Sequence, residues 1–65
     1  MKHGNIRNPV VREQLTREGW TWVAVLSHGE NKGEVFTRHR SYAAANRSAR
    51  GLNLTLVEVR EGASF

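Results

Sequence analysis

One stretch of the sequence decides the fold, Trp20-Thr-Trp-Val-Ala-Val-Leu-Ser27. It is dense in aromatic and β-branched residues, which favour a β-strand. The alternating side chains are largely apolar on both faces, with Trp20, Trp22, Ala24 and Leu26 on one and Val23 and Val25 on the other. Because a strand that is apolar on both faces is usually covered on both sides, we expect it at the centre of a sheet.

The chain turns after this strand and then returns alongside it. Two glycines at positions 29 and 33 frame the turn. The stretch Glu34–Arg40 alternates again, and this alternation predicts Val35, Thr37 and His39 on one face and Phe36, Arg38 and Arg40 on the other. The two strands therefore predict an antiparallel hairpin.

Two helices are predicted from their capping residues. Asn8 is a strong N-cap, and Pro9 suits the first helical position because that position does not use its N–H. This helix should end at Gly19. Ser41 opens a second helix, rich in alanine, which Gly51 closes.

A third strand is predicted over Leu54–Arg60, and the fold class is therefore α+β with the order α-β-β-α-β. The helix between the second and third strands makes those two strands parallel in direction. Placing the third strand beside the first gives a three-stranded antiparallel sheet in the order 2-1-3, with the most apolar strand in the middle. We expect the second helix to pack on one face of this sheet.

The length of 65 residues allows one domain. We assign residues 8–61 to it, residues 1–7 to a flexible basic arm and residues 62–65 to a tail. The chain has no cysteine, so the core must come from Trp20, Trp22, Phe36 and the valine, leucine and alanine residues, or from self-association. No apolar run approaches the ~18 residues of a membrane span. The N-terminus does not resemble a signal peptide, and we expect a cytoplasmic protein without a membrane partner.

The formal net charge of +4 comes from ten basic and six acidic residues, and eight of the ten bases are arginine. The planar guanidinium matches the geometry of phosphate and carboxylate groups, so this bias favours an anionic partner. Ordinary surface charge that maintains solubility is the alternative explanation.

The candidate binding residues form a basic set in the middle of the chain: Lys32, Arg38, His39, Arg40, Arg47 and Arg50. Nucleic-acid binding needs several cations within reach of successive phosphates. The same residues also have structural explanations, because Arg47 and Arg50 complement a helix dipole and Arg38 and Arg40 deter pairing at a strand edge.

The sequence gives little indication of base stacking, metal binding or catalysis. Trp20 and Trp22 could stack on bases, but in so short a chain we assign them to the core. His28 and His39 have no cysteine, aspartate or second histidine at ligand spacing, so we expect neither a metal nor a cofactor. The chain also lacks a glycine-rich phosphate loop, and we expect no catalytic residues and no enzymatic activity.

The segments Leu15-Thr-Arg-Glu-Gly19-Trp20, Ser27-His28 and Arg38-His39 resemble the HicA family of small RNA-cleaving toxins. Those proteins are basic and have a fold like that of double-stranded-RNA-binding domains. The resemblance covers roughly residues 11–50. It implies that His28 is catalytic and that the basic residues hold RNA.

A second resemblance covers Trp20–Glu61. The hairpin that begins at Trp20, the helix after Ser41 and the last strand are similar to very small phage proteins that take over host machinery, such as the RNA-polymerase inhibitors of short-tailed coliphages. It implies a steric mechanism, in which a sheet edge and arginine side chains occupy an acidic or nucleic-acid-binding host surface.

The sequence therefore predicts a small, basic, non-enzymatic module that binds nucleic acid through its arginines. The alternatives are a phage-encoded inhibitor that docks on an acidic host protein and a HicA-like ribonuclease toxin. A strand edge open to a homodimer is also expected. The main prediction requires that folding gather the guanidinium groups of the middle segment into one positive surface.

Overall fold

The computed structural model describes residues 4–65, and its elements follow the predicted order. They are helix α1 (Pro9–Arg17), strands β1 (Trp22–Leu26) and β2 (Val35–His39), helix α2 (Tyr42–Ala49), strand β3 (Leu54–Glu58) and a C-terminal 3-10 helix (Val59–Ser64). Within the described residues, no helix is long and apolar enough to cross a bilayer.

The caps that the sequence predicts are present at both α-helices. The side chain of Asn8 accepts a hydrogen bond from the N–H of Val10 at 2.9 Å. The hydroxyl of Ser41 accepts one from the N–H of Ala44 at 3.1 Å. Each cap satisfies a backbone donor that the first helical turn leaves without a partner.

The sheet has the predicted order β2-β1-β3, and both neighbouring pairs are antiparallel. The α+β fold class is thus confirmed. Helix α2 packs across all three strands on one face, where Ala24 and Ala45 are fully buried. The opposite face carries the main hydrophobic core.

A β-bulge interrupts the predicted alternation of β2. Ala24 pairs with Thr37 and Val25 pairs with Val35, so Phe36 has no partner on β1. A bulge adds one residue to one strand. Residues two or four apart, which share a face in a regular strand, therefore lie on opposite faces when the bulge separates them. Val35 therefore joins the core, whereas Thr37 and His39 face α2, and the prediction that these three share a face was wrong.

The main core consists mostly of valine rather than of aromatic residues. Its buried members are Ile6, Leu15, Val23, Val25, Val35, Val57 and Val59, with Trp20 packed against them. The prediction that Phe36 belongs to the core was wrong, because at the bulge it is 54% exposed. Trp22 is partly buried on the α2 side, where its ring lies 5.0 Å from that of Tyr42.

The predicted loose arm is in part built into the domain. Ile6 is fully buried, and its N–H donates to the carbonyl of Gly33 at 2.8 Å. The N–H of Val35 donates to the carbonyl of Gly4 at 2.8 Å, so this segment covers the start of β2. An apolar side chain and a free strand edge explain why residues 4–6 pack. Residues 1–3 of the predicted arm lie outside the described residues.

The predicted tail is also part of the domain. The third strand ends at Glu58, and the chain turns into the 3-10 helix, which buries Val59 and Gly62 and packs beside α1. Phe65 packs against the core. Residues 62–65 are therefore held by the apolar contacts of Val59 and Phe65.

Candidate functional site

The predicted basic set lies in separate places on the molecule. Helix α2 begins at Tyr42, soon after β2, and ends at Ala49, and the chain then reaches Leu54, which pairs with Leu26 at the far end of β1. Arg47 and Arg50 therefore lie at the hairpin end of the sheet, while Arg38 and Arg40 lie at the other end. A strand of five residues is about 16 Å long, so the two pairs do not form one cluster.

Lys32 and His39 occupy two further places. Lys32 lies at the tip of the hairpin, with its Nζ 5.5 Å from the centroid of the Phe65 ring. The ring of His39 faces α2 and its Nε2 lies 2.8 Å from Oγ1 of Thr37. The six predicted residues are therefore distributed over both ends of the sheet, and whether they form one positive surface stays a prediction.

Arg38 and Arg40, by contrast, come together on Trp20. The guanidinium carbons lie 5.2 Å and 4.0 Å from the Trp20 ring, respectively. Glu18 joins this group, because Oε1 of Glu18 lies 3.5 Å from Nη1 of Arg38 and accepts a hydrogen bond from Nε1 of Trp20 at 3.1 Å. We call Glu18, Trp20, Arg38 and Arg40 the Trp20 cluster.

Local backbone geometry explains this arrangement. Gly19 has a φ of +89°, which lets the chain reverse at the end of α1 and places Trp20 beneath that helix. The N–H of Thr21 donates to the carbonyl of His39 and its hydroxyl donates to the carbonyl of Arg40, at 3.0 and 2.8 Å. These bonds hold the end of β2 beside Trp20.

A groove between α1 and the 3-10 helix continues from the Trp20 cluster. It has a volume of about 450 Å³ and is lined by Arg12, Glu13, Thr16, Arg17, Val59 and Arg60. A smaller cavity of about 170 Å³ shares Thr16, Val59 and Arg60 with it and reaches Trp20. We call the Trp20 cluster and this groove together the cationic surface.

Three glutamates partly neutralise the cationic surface. Glu13 lies 3.5 Å from Arg17, Glu18 is paired with Arg38, and Glu58 lies 3.2 Å from Arg60. Its five arginines minus these three glutamates leave a local charge of +2. Exposed ion pairs contribute only ~0–1 kcal/mol each, so a stronger anionic ligand can replace these carboxylates at small cost.

Two arginines of the cationic surface have no carboxylate partner among the described residues. Arg12 donates from Nη1 to the carbonyl of Ile6 at 3.0 Å. Arg40 donates from Nη2 to the carbonyl of Glu18 at 3.3 Å while its guanidinium stacks on Trp20. Neutral backbone acceptors thus orient both groups and leave their positive charge uncompensated.

The sequence prediction missed Arg12, Arg17 and Arg60 as site residues. Arg12 and Thr16 are four apart on a capped helix, so their common face was recognisable from spacing. Arg60 was not recognisable, because it reaches the groove only through the turn from β3 into the 3-10 helix. The expectation that Trp20 and Trp22 share a face also failed, since Trp20 precedes the strand and is not bound by its alternation.

The structure offers His28 little to support a catalytic role. His28 is exposed, and its Nε2 lies 3.2 Å from the side-chain nitrogen of Asn53. A general base is normally oriented by a hydrogen-bond partner and lies near a group that binds the substrate. Asn53 is the hydrogen-bond partner that the structure gives this ring, and the role implied by the HicA resemblance stays a prediction.

A search of models of protein families, of curated proteins and of solved structures found no match to this chain.

Proposed function

We propose that this protein is a non-enzymatic nucleic-acid-binding module and that its cationic surface holds the phosphate backbone. The observation that carries the proposal is the pairing of Arg38 and Arg40 on Trp20, next to a groove with three further arginines. Nucleic acid is favoured over small anions because the surface is extended, as successive phosphates require.

The Trp20 cluster supports this function through preorganisation. An arginine loses side-chain freedom when it binds a phosphate, and this loss weakens binding. Stacking on Trp20 already restricts the side chains of Arg38 and Arg40, so they lose less conformational freedom when they bind a phosphate. Guanidinium groups also form paired hydrogen bonds with phosphate oxygens, which an ammonium group cannot match.

The central experiment compares two double variants with equal loss of charge. Arg38→Ala/Arg40→Ala removes the proposed site, and Arg47→Ala/Arg50→Ala removes two exposed arginines at the other end of the sheet. Affinity for labelled duplex and single-stranded DNA and RNA is measured by fluorescence anisotropy at ~50 mM salt. We expect a loss of about tenfold or more for the first variant and less than about threefold for the second, because ion-assisted hydrogen bonds contribute ~1.5–3 kcal/mol each.

A third variant controls for folding, since Arg38 is half-buried. Arg38→Lys/Arg40→Lys keeps the charge but removes the planar fork, and circular dichroism checks that each variant is folded. Equal losses for the two alanine variants would show that only net charge matters. Absence of binding to all four nucleic acids would end the proposal.

Docking on an acidic protein surface is the second candidate function. The cationic surface already accommodates the carboxylates of Glu13, Glu18 and Glu58. Competition with polyglutamate separates the two candidates: nucleic-acid binding requires that an oligonucleotide displace the labelled ligand at a much lower charge concentration than polyglutamate does. Capture of a stoichiometric protein from nuclease-treated bacterial lysate favours the inhibitor.

A further inference from the structure

Strand β3 presents an open row of backbone hydrogen-bonding groups. The N–H of Val59 donates to the carbonyl of Thr21, and hydrogen-bonded pairs alternate along an antiparallel ladder. In the observed register, residues 55 and 57 therefore bond to β1, while the N–H and C=O groups of Leu54, Leu56 and Glu58 point away from the sheet.

The two edges of the sheet differ in their protection against pairing. On β2, residues 4–6 cover the start, a bulge distorts the middle at Phe36, and Arg38 and Arg40 lie at the end. These are standard means of preventing edge-to-edge association. Over Leu54–Val57, by contrast, β3 has no charged residue, no proline and no irregularity in its register with β1.

Apolar side chains accompany this open edge. Leu54 and Leu56 are only half-buried, and Leu52 just before the strand is 52% exposed. A groove of about 350 Å³ runs along the edge between β3 and the 3-10 helix, where Ser64 and Phe65 line it. An added strand could therefore bury apolar surface as well as satisfy backbone groups.

We propose that the β3 edge is the two-fold interface of a homodimer, centred on Leu56. Antiparallel pairing in this register places Leu56 opposite Leu56 of the second copy and Leu54 opposite Glu58 of the second copy. Every outward N–H of these residues then meets an outward C=O. The edge is thus complementary to itself, as a two-fold interface requires.

Charge supports a second copy as the occupant. Glu58, Arg60 and Glu61 lie at one end of the edge and together carry a net charge of −1, because Arg60 pairs with Glu58, and Arg50 lies before the other end. Antiparallel pairing brings the acidic end of one copy towards the basic end of the other. Parallel pairing would bring like charges together, so the charge pattern selects the same orientation as the hydrogen bonds.

The homodimer would have a continuous six-stranded sheet, because the three strands of each copy join at β3. A two-fold axis perpendicular to the sheet leaves both α1 helices on the same side. The two cationic surfaces then face the same way, and the formal net charge doubles from +4 to +8. The dimer is inferred from the β3 edge and from the charges at its ends, and it does not depend on nucleic-acid binding.

Sedimentation equilibrium of the unmodified chain, from micromolar to millimolar concentration, tests the proposal without any substitution. We expect a concentration-dependent rise from 7.4 kDa towards twice that mass. A chain that remains at the monomer mass throughout, or that associates beyond the dimer, would overturn the proposal.

Cysteine substitution tests the register, since the chain has no cysteine of its own. Opposed residues of a hydrogen-bonded pair have Cα atoms about 5.5 Å apart but Cβ atoms too far apart for an unstrained disulfide, so Leu56→Cys should be cross-linked to a dimer by a bifunctional methanethiosulfonate reagent of about 5 Å span. Leu54→Cys should not, because the two copies of residue 54 are about 13 Å apart along the ladder. Phe36→Cys on the other edge is the second control. Equal cross-linking of Leu56→Cys and either control would exclude this interface.

Discussion

Gly62 of the 3-10 helix packs directly against Ile6 of the N-terminal segment. A β-carbon at position 62 would overlap the side chain of Ile6 and lie 2.8 Å from its carbonyl oxygen. Both residues are buried. The contact joins the N-terminal and C-terminal segments over the core. Residues 4–6 are therefore not a loose arm, and residues 62–65 are not a free tail.

Gly62→Ala should destabilise the protein by about 1–3 kcal/mol, because the added methyl group has to displace backbone or core atoms. Urea unfolding followed by tryptophan fluorescence measures this change. Ala63→Ser, at the exposed neighbouring position, is the control and should change the unfolding free energy by less than about 0.5 kcal/mol. Equal stability of Gly62→Ala and the parent chain would contradict the close contact.

Ile6→Ala should cost about 2–5 kcal/mol of unfolding free energy, because it leaves a cavity in the core. Val10→Ala serves as the comparison, since Val10 is 67% exposed although it lies only four residues away. The same urea titration separates them. If the two variants unfold at similar urea concentrations, residues 4–6 do not belong to the folded unit.

Phe36→Ser should leave stability within about 0.5 kcal/mol, because Phe36 lies at the bulge and is 54% exposed. Val35→Ala should cost several times more, since Val35 is buried against Val23 and Val25. Thermal unfolding by circular dichroism gives the comparison. If Phe36→Ser destabilises the protein more than Val35→Ala does, the bulge is contradicted and the regular alternation predicted from the sequence is supported.

Glu18→Gln should strengthen nucleic-acid binding by about two- to fivefold. It removes the carboxylate that pairs with Arg38, and a partly exposed pair of this kind contributes ~0–1 kcal/mol. Glu30→Gln makes the same change of charge at the exposed hairpin tip and should have a smaller effect. Anisotropy titrations compare the two, and an equal gain from both would point to net charge alone.

The salt dependence of duplex binding should report which arginines contact phosphates. Each phosphate contact adds ~0.9 to the slope of log affinity against log salt concentration. Arg38→Ala/Arg40→Ala should therefore lower the slope by about 1.8, whereas Arg47→Ala/Arg50→Ala should leave it unchanged. Titrations over a salt series measure both slopes. A larger decrease in slope for Arg47→Ala/Arg50→Ala than for Arg38→Ala/Arg40→Ala would indicate that the binding site lies on α2 instead.

Some features of this protein were determined by the sequence alone, because they depend on neighbouring residues. Asn8 and Ser41 cap their helices through bonds that span two or three residues. The apolar stretch around Val23 and Val25 has to lie in the middle of the sheet wherever the other strands come from. The fold class and the strand order followed from these local signals.

The tertiary structure alone decided the rest, because it depends on residues far apart in the chain. The bulge at Phe36 changes which side chains of β2 enter the core, and Ile6 is buried only because Gly33 and Gly62 lie beside it. The arginines follow the same rule. In the sequence, Arg38 and Arg40 lie close to Arg47 and Arg50. Folding separates the two pairs, because α2 runs along the sheet before the chain returns. It places Arg38 and Arg40 beside the groove between α1 and the 3-10 helix.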